Sequence, residues 1–487
     1  MKTSIEKLII DSTSNIKDAL RLINENGLSA CFIVEGTNKR MLGIITDGDI
    51  RRAILGNIDL NADIMDIANS KFQYAKITDA PEKINSLLSD KIKILPLLDE
   101  KGMPIDYATI SHIRYLPIYE PYLRGNELSY INECIQTGWI SSQGKFVKEF
   151  EKRFAEFLKV PYALSTSNGT TALHLALTVM NIGKGDEVIV PDFTFAASIN
   201  SIIYTGAKPI LIDVNKESFN IDISLIEGKI TPRTKAIMPV HLYGNPCEMD
   251  EILSLAKKYK LKIIEDAAES FGSEYKGIKT GTIGDIGCFS FFGNKTITTG
   301  EGGMIVFKDE ELYNKAKILR DHGMLPEKRY WHQYVGYNYR MTNMQAAVGV
   351  AQLEKAEEII EKKIKIGKMY RRVLENIPGI KLVEDKPDIS NTYWLFSIIT
   401  EKEMGWDKNK IQQKLLDNGI ETRNLFYPLH IMPPYKKFLS HCEKFPVSEY
   451  LSENGFSLPS STLINETDIM EIAKIISETY EISTMSN

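Results

Sequence analysis

The sequence contains few cysteines, and none of them stand in a paired motif. Its 487 residues include five, which lie far apart along the chain and form no C-x-x-C pair. They are Cys31, Cys134, Cys247, Cys288 and Cys442. This spacing argues against a disulfide framework and against a thiolate zinc site, so we expect a reducing environment and no bound metal.

Long apolar runs and an excess of positive charge are also absent. No run of about 18 apolar residues occurs, and the first residues include no apolar stretch of the kind found in secretion signals. The chain has 59 Lys and Arg against 64 Asp and Glu, a formal net charge of −5. Binding to a phosphate backbone usually requires a basic surface. We therefore predict a soluble, cytoplasmic protein that binds neither nucleic acid nor a membrane.

The chain begins with a short module that occurs twice. The segment "IKDALRLINENGLSACFIVEG" predicts a helix and a buried strand, and "KRMLGIITDGDIRRAIL" predicts a strand and a helix that opens at Asp49. The later segment "PEKINSLLSDKIKILPLLDEKGMPIDYATISHI" repeats this order more loosely. We predict one pseudo-symmetric α/β module over residues 1–116, before the proline-containing junction "RYLPIYEPYLRG".

Strands and helices alternate from about residue 125 onward. Short apolar strands such as "DEVIVPDF", "KPILIDV" and "KAIMPVHL" are each followed by turn residues or a helix. This alternation predicts a mostly parallel sheet with helices on both faces. We predict a large domain over residues 117–375. A smaller α+β subdomain over 376–487 has its own strand, "TYWLFSIIT", and its own helix, "KNKIQQKLLDNG".

Three segments of the large domain carry side chains suited to chemistry. Small polar residues around Gly169 precede a helix, and the free amides of a helix start bind phosphate. Asp266 follows an apolar strand, at the position where open α/β sheets bind ligands. Lys295 lies in "FSFFGNKTITTGEGGM", which lacks the glycine that a Walker loop requires directly before its lysine. Taken singly, the first segment is better explained as a plain helix cap, and Asp266 is equally well explained as one. A lone lysine beside a glycine-rich tail is usually structural or solvated.

Taken together, these residues match the needs of a pyridoxal phosphate (PLP) enzyme. A lysine amine forms the Schiff base, an acid pairs with the pyridinium nitrogen, and a helix start holds the phosphate. Ser290 supplies a hydroxyl close to Lys295 in the sequence. Phe195, in "PDFTFAAS", is available to stack on the cofactor ring, although a single phenylalanine is more often a core residue.

From about residue 118 to 485 the chain resembles the sugar-nucleotide aminotransferases of the DegT/StrS type, a fold-type-I PLP family. The resemblance is carried, in order, by "SNGTTALHLAL", "VPDFTFAAS", "VHLYGNPCEMD", "IIEDAAESFGSEYKG", "FSFFGNKTITTGEGGM", "LRDHGM", "GYNYRMTNMQAAVG", "ETRNLFYPLHIMPPY" and "LPSS". It implies a transaminase that moves the amino group of L-glutamate to a nucleotide-linked ketosugar for the synthesis of surface polysaccharide.

The resemblance assigns a role to each residue of the predicted cofactor site. Lys295 would form the Schiff base and carry the proton in transamination, and Asp266 would contact the pyridine nitrogen. The cofactor phosphate would be bound by Gly169, Thr170 and Ser290. Some relatives replace the lysine by histidine and are dehydratases, so the lysine here favours transamination.

Three further positions follow from the same resemblance. Phe195 would stack on the cofactor ring. Glu269 occupies a position that is often Gln or His in the wider family, and it would contact the ring hydroxyl. Asn338, in "GYNYR", would reach the cofactor phosphate of the neighbouring subunit. The resemblance therefore implies a homodimer with shared active sites.

The identity of the sugar depends on the C-terminal part of the chain. The run "RNLFYPLHIMPPY" favours a GDP-linked 4-keto-6-deoxy sugar, GDP-4-keto-6-deoxymannose, which would become GDP-perosamine. Tyr427 and His430 would lie near the sugar. Core packing or a supporting role is an equal alternative for each of them. For His322 the same alternatives remain open. The alternative substrates are a UDP-linked 4-keto-6-deoxy-HexNAc, or a dTDP-sugar aminated at C3.

Residues 1–116 resemble a pair of cystathionine-β-synthase (CBS) domains, which typically bind adenine nucleotides. The segment "GIITDGDIRRAI" matches their ribose-binding signature, with Thr46 and Asp49 as the expected hydroxyl and carboxylate. No acid follows Thr109 at the matching spacing in the second copy, so we expect at most one standard nucleotide site. A purely structural or dimerising module is an equal alternative. A nucleotide sensor that uses the aminotransferase fold as a scaffold is the other function class, and the intact set around Lys295 argues against it.

Overall fold

A computed structural model describes residues 4–36, 39–79, 81–89, 91–109, 116–401, 404–439 and 443–485. By their internal contacts, the residues divide into two compact units. One comprises Met1–Leu116 and Gln413–Glu421, and the other comprises Pro117–Gln412 and Thr422–Asn487. The predicted boundary between residues 375 and 376 falls inside the second unit and stays a prediction.

The first unit is built from two short repeats of strand, helix, strand and strand. Its elements are β1 (Ile9–Asp11), α1 (Ile16–Asn26), β2 (Ala30–Glu35), β3 (Arg40–Thr46), α2 (Asp47–Leu55), β4 (Ala75–Lys76), α3 (Pro81–Leu87), β5 (Ile94–Leu98) and β6 (Pro104–Thr109). In each three-stranded sheet the first strand is parallel to the second and the second is antiparallel to the third. The shared order confirms the predicted tandem α/β module.

The second unit is centred on a seven-stranded sheet. The helices and strands from residue 127 to residue 374 are α4 (Glu127–Thr137), α5 (Lys145–Leu158), β7 (Tyr162–Thr166), α6 (Gly169–Val179), β8 (Glu187–Pro191), α7 (Ala196–Tyr204), β9 (Lys208–Ile212), β10 (Thr234–Ile237), α8 (Met249–Tyr259), β11 (Lys262–Asp266), β12 (Glu274–Tyr275), β13 (Ile278–Lys279), β14 (Ile286–Ser290), β15 (Gly303–Phe307), α9 (Glu310–Arg320), α10 (Asn343–Leu353) and α11 (Ala356–Leu374). The strand order is β7-β15-β14-β11-β10-β8-β9. Strand β15 is antiparallel to both neighbours and every other pair is parallel, which confirms the predicted mostly parallel sheet.

This sheet is covered on both faces. Side chains of a strand alternate between the two faces, and β15 contributes Ile305 and Phe307 to one hydrophobic core and Met304 and Val306 to another. A strand that is buried on both faces needs an unbroken apolar sequence, and all five residues of β15 are buried. The sheet is thereby held firmly between two cores, and its carboxyl edge is a fixed platform for side chains.

The C-terminal part of the second unit contains a smaller antiparallel sheet. The helices and strands of this part of the chain are β16 (Ile380–Leu382), β17 (Ile389–Ser390), β18 (Phe396–Thr400), α12 (Lys408–Asp417), β19 (Arg423–Asn424), α13 (Pro446–Asn454), β20 (Gly455–Leu458) and α14 (Glu466–Met485). The second half of α12 is assigned to the first unit. The sheet has the order β16-β18-β20-β19, while β17 pairs with β12. Within the described residues, every helix is too short or too polar to cross a bilayer.

Candidate active site

Three of the predicted cofactor residues meet at one edge of the large sheet. Asp266 ends β11 and Ser290 ends β14, two neighbouring parallel strands. Gly169 begins α6, and a Cβ atom on it would lie 2.8 Å from Cβ of Ser290. Only a glycine allows the helix start to approach the strand end this closely. The carboxyl edge of the sheet therefore brings a carboxylate, a hydroxyl and a helix start together.

The start of α6 has the properties of an anion site. Asn168 caps the helix by accepting a hydrogen bond from the amide of Thr171 at 2.9 Å, and the hydroxyl of Thr171 accepts one from the amide of Asn168. The cap uses the third amide of the helix, whereas the first two, on Gly169 and Thr170, have no acceptor within a helix. Thr170 is half-buried and adds a hydroxyl. This arrangement suits a phosphate.

Lys295 lies in a largely buried position beside an acid and an aromatic ring. Its Nζ is 3.5 Å from Oε1 of Glu269, and the two side chains are 12% and 5% exposed. The same Nζ lies 3.6 Å from the ring centroid of Trp394. Burial lowers the pKa of Lys295, while the negative charges of Glu269 and Asp266 act in the opposite direction. The amine therefore gives up its proton more readily than an exposed lysine.

Asp266 is buried and accepts two hydrogen bonds. The hydroxyl of Ser198, in the first turn of α7, donates to its Oδ2 at 2.7 Å, and the amide of Ala268 donates to its Oδ1 at 3.2 Å. Burial raises the pKa of Asp266, and these hydrogen bonds and the charge of Lys295 partly offset that rise. A cationic ring nitrogen placed next to Asp266 would favour its ionised form further.

Glu269 is oriented by an unusual backbone conformation at Tyr243. The amide of Tyr243 donates to Oε2 of Glu269 at 2.9 Å, and Tyr243 adopts a left-handed φ of 53°. Its ring lies nearly parallel to those of Trp394 and Phe426, with interplanar angles of 13° and 15°. Burial raises the pKa of Glu269, and the charge of Lys295 opposes this shift. Strained backbone of this kind is common at functional sites.

The main chain around Lys295 is held by two side chains that sequence reasoning missed. The hydroxyl of Tyr119 donates to the carbonyl oxygen of Lys295 at 2.7 Å, and Nε1 of Trp394 donates to that of Asn294 at 2.6 Å. Both residues are distant in the sequence, so no local pattern identifies them. Ser198 was also missed, although a hydroxyl one helical turn after Phe195 in "PDFTFAAS" is a detectable signal.

Phe195 is not a core residue. It occupies the position just before α7, in the short turn that follows β8, and it is 59% exposed. Its ring centroid lies 6.0 Å from that of Phe426. The exposed ring is therefore available to a ligand, and its stacking on the cofactor stays a prediction.

Asn338 and His322 form a separate cluster around Arg340. The guanidinium of Arg340 donates to Oδ1 of Asn338 at 2.9 Å, and it lies 3.3 Å from Nε2 of His322. Arg340 also forms an ion pair with Asp321 at 2.8 Å. Asn338 and His322 are exposed, and in the described part of the chain their side chains bond Arg340 rather than Lys295 or Asp266. Their predicted roles stay predictions.

His430 and Tyr427 differ sharply in their surroundings. Nδ1 of His430 lies 2.7 Å from Oδ2 of Asp192, and its Nε2 lies 3.1 Å from Oε1 of Glu449. Burial alone would lower the pKa of His430, but the two carboxylates outweigh burial and raise it. These contacts favour the supporting role over direct sugar contact for His430. Tyr427, at 61% exposed, is accessible to a ligand.

The two predicted ribose contacts in the first unit lie side by side. Thr46 caps α2, and its hydroxyl lies 2.6 Å from Oδ2 of Asp49. The same carboxylate oxygen accepts a hydrogen bond from the amide of Thr46, and Arg52 pairs with its other oxygen. The capping box explains both side chains structurally and also holds them together at a helix start.

The described residues around Lys295 fit PLP. A half-reaction on this cofactor needs a free amine, an acid for the ring nitrogen and an anion site for the phosphate. Lys295, Asp266 and the start of α6 against Ser290 supply these three groups at one edge of the sheet. The buried acid Glu269 adds a fourth polar contact beside the amine.

Comparison with known proteins agrees with this chemistry. The DegT/DnrJ/EryC1/StrS aminotransferase family model matches residues 121–477, and the CBS domain model matches residues 3–56. A GDP-perosamine synthase of Escherichia coli O157:H7 is 46% identical over 368 residues, which cover 76% of this chain and 99% of that protein. The GDP-perosamine synthase of Caulobacter vibrioides is 45% identical over 364 residues, 74% of this chain and 97% of that protein.

A solved structure supports the same assignment. Helicobacter pylori PseC, an aminotransferase involved in the biosynthesis of pseudoaminic acid, has a TM-score of 0.71 and 28% identity. The match covers 76% of this chain and 100% of that chain. The protein is therefore a PLP-dependent sugar aminotransferase with a CBS domain at its N-terminus, and it belongs to the DegT/DnrJ/EryC1/StrS aminotransferase family.

Proposed function

We propose that this enzyme transfers the amino group of L-glutamate to C4 of GDP-4-keto-6-deoxymannose and produces GDP-perosamine for surface polysaccharide such as O-antigen. The observation that carries the proposal is the identity of 46% and 45% to two GDP-perosamine synthases across nearly their whole lengths. Amination of a UDP-linked or dTDP-linked ketosugar by the same residues is the competing assignment.

Lys295 moves the proton in both half-reactions. Bound PLP supplies the electron sink that stabilises negative charge at the reacting carbon. Nζ of Lys295 would take the proton from the α-carbon of glutamate, which leaves as 2-oxoglutarate after hydrolysis. In the second half-reaction it would deliver a proton to C4 of the sugar, whose keto oxygen leaves as water. Burial lowers the pKa of this amine, which favours its use as a base near neutral pH.

The two buried carboxylates have different tasks. Asp266 holds the ring nitrogen of the cofactor in its protonated form, and Ser198 keeps the carboxylate in place through its 2.7 Å hydrogen bond. Glu269 contacts the ring hydroxyl and sets the charge beside Lys295, from which it lies 3.5 Å. Both acids are held by neighbouring donors, so little rearrangement is needed during the reaction.

The start of α6 would hold the cofactor phosphate through the amides of Gly169 and Thr170 and the hydroxyl of Ser290. Phe195 would stack on the ring. Asn338 is exposed on its own chain and reaches the phosphate of a second subunit, so the enzyme works as a homodimer. Tyr427 is exposed, which suits contact with the sugar.

A panel of substrates tests this proposal. The enzyme is incubated with PLP, L-glutamate and GDP-, UDP- or dTDP-linked ketosugars, and the products are identified by mass spectrometry. We expect an aminated product from the GDP-linked 4-keto sugar, and none from Lys295→Ala or Lys295→Arg. Preference for a UDP- or dTDP-linked sugar would overturn the substrate assignment, and an active Lys295→Ala enzyme would overturn the mechanism.

We further propose that an adenine nucleotide binds the CBS module at Thr46 and Asp49 and regulates the enzyme. The supporting observation is the family match over residues 3–56 together with the adjacency of the two side chains. Calorimetry with AMP and ATP tests this. Asp49→Asn should abolish binding while it retains a capping side chain, whereas Asp47→Asn, whose carboxylate pairs with Arg51, should leave binding intact. If neither AMP nor ATP gives a heat of binding with the unmodified enzyme, the proposal is contradicted.

A further inference from the structure

Lys363, on α11, is a buried amine that the proposed mechanism does not use. Its side chain is completely buried. Nζ donates to the carbonyl oxygen of Trp394 at 3.0 Å and to that of Ser460, and it lies 5.3 Å from the ring centroid of Tyr119. Among the described residues no carboxylate forms an ion pair with it.

Two of the residues that Lys363 contacts, Trp394 and Tyr119, also contact the segment that contains Lys295. Trp394 places its ring 3.6 Å from Nζ of Lys295 and donates from Nε1 to the carbonyl of Asn294. Tyr119 donates from its hydroxyl to the carbonyl of Lys295 itself. A single amine therefore donates to the main-chain carbonyl of one residue that holds the turn at residues 294–295, Trp394, and faces the ring of the other, Tyr119.

Packing alone does not account for a lysine at this position. Burying an amine without an acidic partner is unfavourable, and burial lowers the pKa of Lys363 to about 7. Methionine has a similar length and would fill the same space without that penalty. What methionine lacks is the donor group that fixes the carbonyls of Trp394 and Ser460.

We propose that Lys363 is a positioning residue for transamination. Its amine holds Trp394 and faces Tyr119, and these two residues fix the backbone and the amine of Lys295 in the geometry that proton transfer needs. The inference rests on the proposed role of Lys295. A displacement of about 1 Å in a reacting group costs about 100-fold in rate, so a small shift of this turn is sufficient for a large effect.

The test compares three variants of the full-length holoenzyme. Lys363→Met removes the donor, and Lys363→Arg retains a buried cation with donors. Lys408→Met is the matched control, because Nζ of Lys408 also donates to two carbonyls, those of Ser452 and Gly455, without touching the turn at Lys295. We measure kcat, KM for both substrates, thermal unfolding, and the pH midpoint of the visible cofactor absorbance without substrate.

We expect Lys363→Met to lower kcat by about 10- to 100-fold, to change KM less than about twofold, and to shift the absorbance midpoint. Lys363→Arg should restore part of kcat. Lys408→Met should reduce thermal stability without moving the midpoint. An unchanged midpoint and kcat in folded Lys363→Met, or equal losses of kcat in Lys363→Met and Lys408→Met, would overturn the inference.

A further variant keeps the inference testable if Lys363→Met does not fold. Tyr119→Phe deletes only the hydroxyl that donates to the carbonyl of Lys295, and it should move kcat and the absorbance midpoint in the same direction. No change in either quantity would overturn the inference. Lys295→Ala separates the two hypotheses: activity in that variant refutes the proposed mechanism, whereas an inactive Lys295→Ala beside an unaffected Lys363→Met refutes only the role of Lys363.

Discussion

The amine of Lys295 lies 3.5 Å from Oε1 of Glu269, and both side chains are largely withdrawn from water. An exposed ion pair at this distance would contribute little, but a low local dielectric strengthens the interaction. Burial lowers the pKa of Lys295 and the carboxylates raise it, with burial the larger influence. The protonation state of the amine thus depends on the charge of its neighbours.

Glu269→Gln should lower the pKa of Lys295 further. The substitution removes the negative charge that favours the protonated amine, while burial remains. The acidic limb of the pH profile of kcat should therefore move to lower pH, because the amine freed in the substrate complex is deprotonated at lower pH. Glu274→Gln, which breaks the pair with Lys279, is the control and should leave the limb in place. A shift to higher pH would contradict the assignment.

Ser198→Ala should weaken catalysis through Asp266. The hydroxyl donates to Oδ2 of Asp266 at 2.7 Å, and its loss raises the pKa of that carboxyl further. Hydrogen bonds to charged groups contribute about 1.5–3 kcal/mol, so we expect kcat/KM to fall at least about tenfold. Ser201→Ala, on the same helix with a bond to the carbonyl of Ser198, is the matched control. Equal losses in the two variants would indicate a structural effect on α7 alone.

Gly169→Ala should weaken PLP binding. The new Cβ would lie 2.8 Å from Cβ of Ser290, so the start of α6 must move away from the strand end. Overpacking of this kind costs about 1–3 kcal/mol, which corresponds to a loss of affinity of about 5- to 150-fold. Titration of the apoenzyme with PLP, followed by visible absorbance, measures the effect. Gly228→Ala adds a Cβ with no atom within 4 Å and should bind PLP normally; unchanged affinity in Gly169→Ala would refute the phosphate site.

His430→Gln should destabilise the protein in a pH-dependent way. The pKa of folded His430 is raised by Asp192 and Glu449 despite burial, so its contribution to stability is complete below the unfolded pKa of about 6.5. That contribution is lost as the pH rises through the folded pKa. Denaturant unfolding should show a larger loss near pH 6 than near pH 9, of about 1–3 kcal/mol.

The exposed His332, which bonds a backbone carbonyl, supplies the control variant His332→Gln for this measurement. A pH-independent difference between the unmodified enzyme and His430→Gln would refute the charged pair. A large rise in KM for the sugar with unchanged stability would restore the sugar-contact hypothesis for His430.

Local sequence patterns were sufficient to predict the architecture and the polar residues at the strand ends. The alternation of apolar strands and amphipathic helices determines a covered parallel sheet, because each element must bury its apolar side against another. A polar residue at the end of such a strand then lies at the carboxyl edge, as Asp266 and Ser290 do. The tandem repeat of the N-terminal module could be predicted for the same reason. Each repeat has its own apolar strands and its own amphipathic helix, and each forms its own three-stranded sheet.

Only the tertiary structure decided what surrounds Lys295. Tyr119, Lys363 and Trp394 come from a loop, a helix and the segment before β18, and they converge through hydrogen bonds that span from 31 to 176 residues of sequence. No periodic pattern encodes such contacts, because hydrogen bonds and ring contacts depend on where the chain returns in space rather than on neighbouring residues. The sequence by itself therefore determined the sheet, the helix start and the position of the lysine proposed to react, whereas the packing of distant side chains decided how that amine is held and how readily it loses its proton.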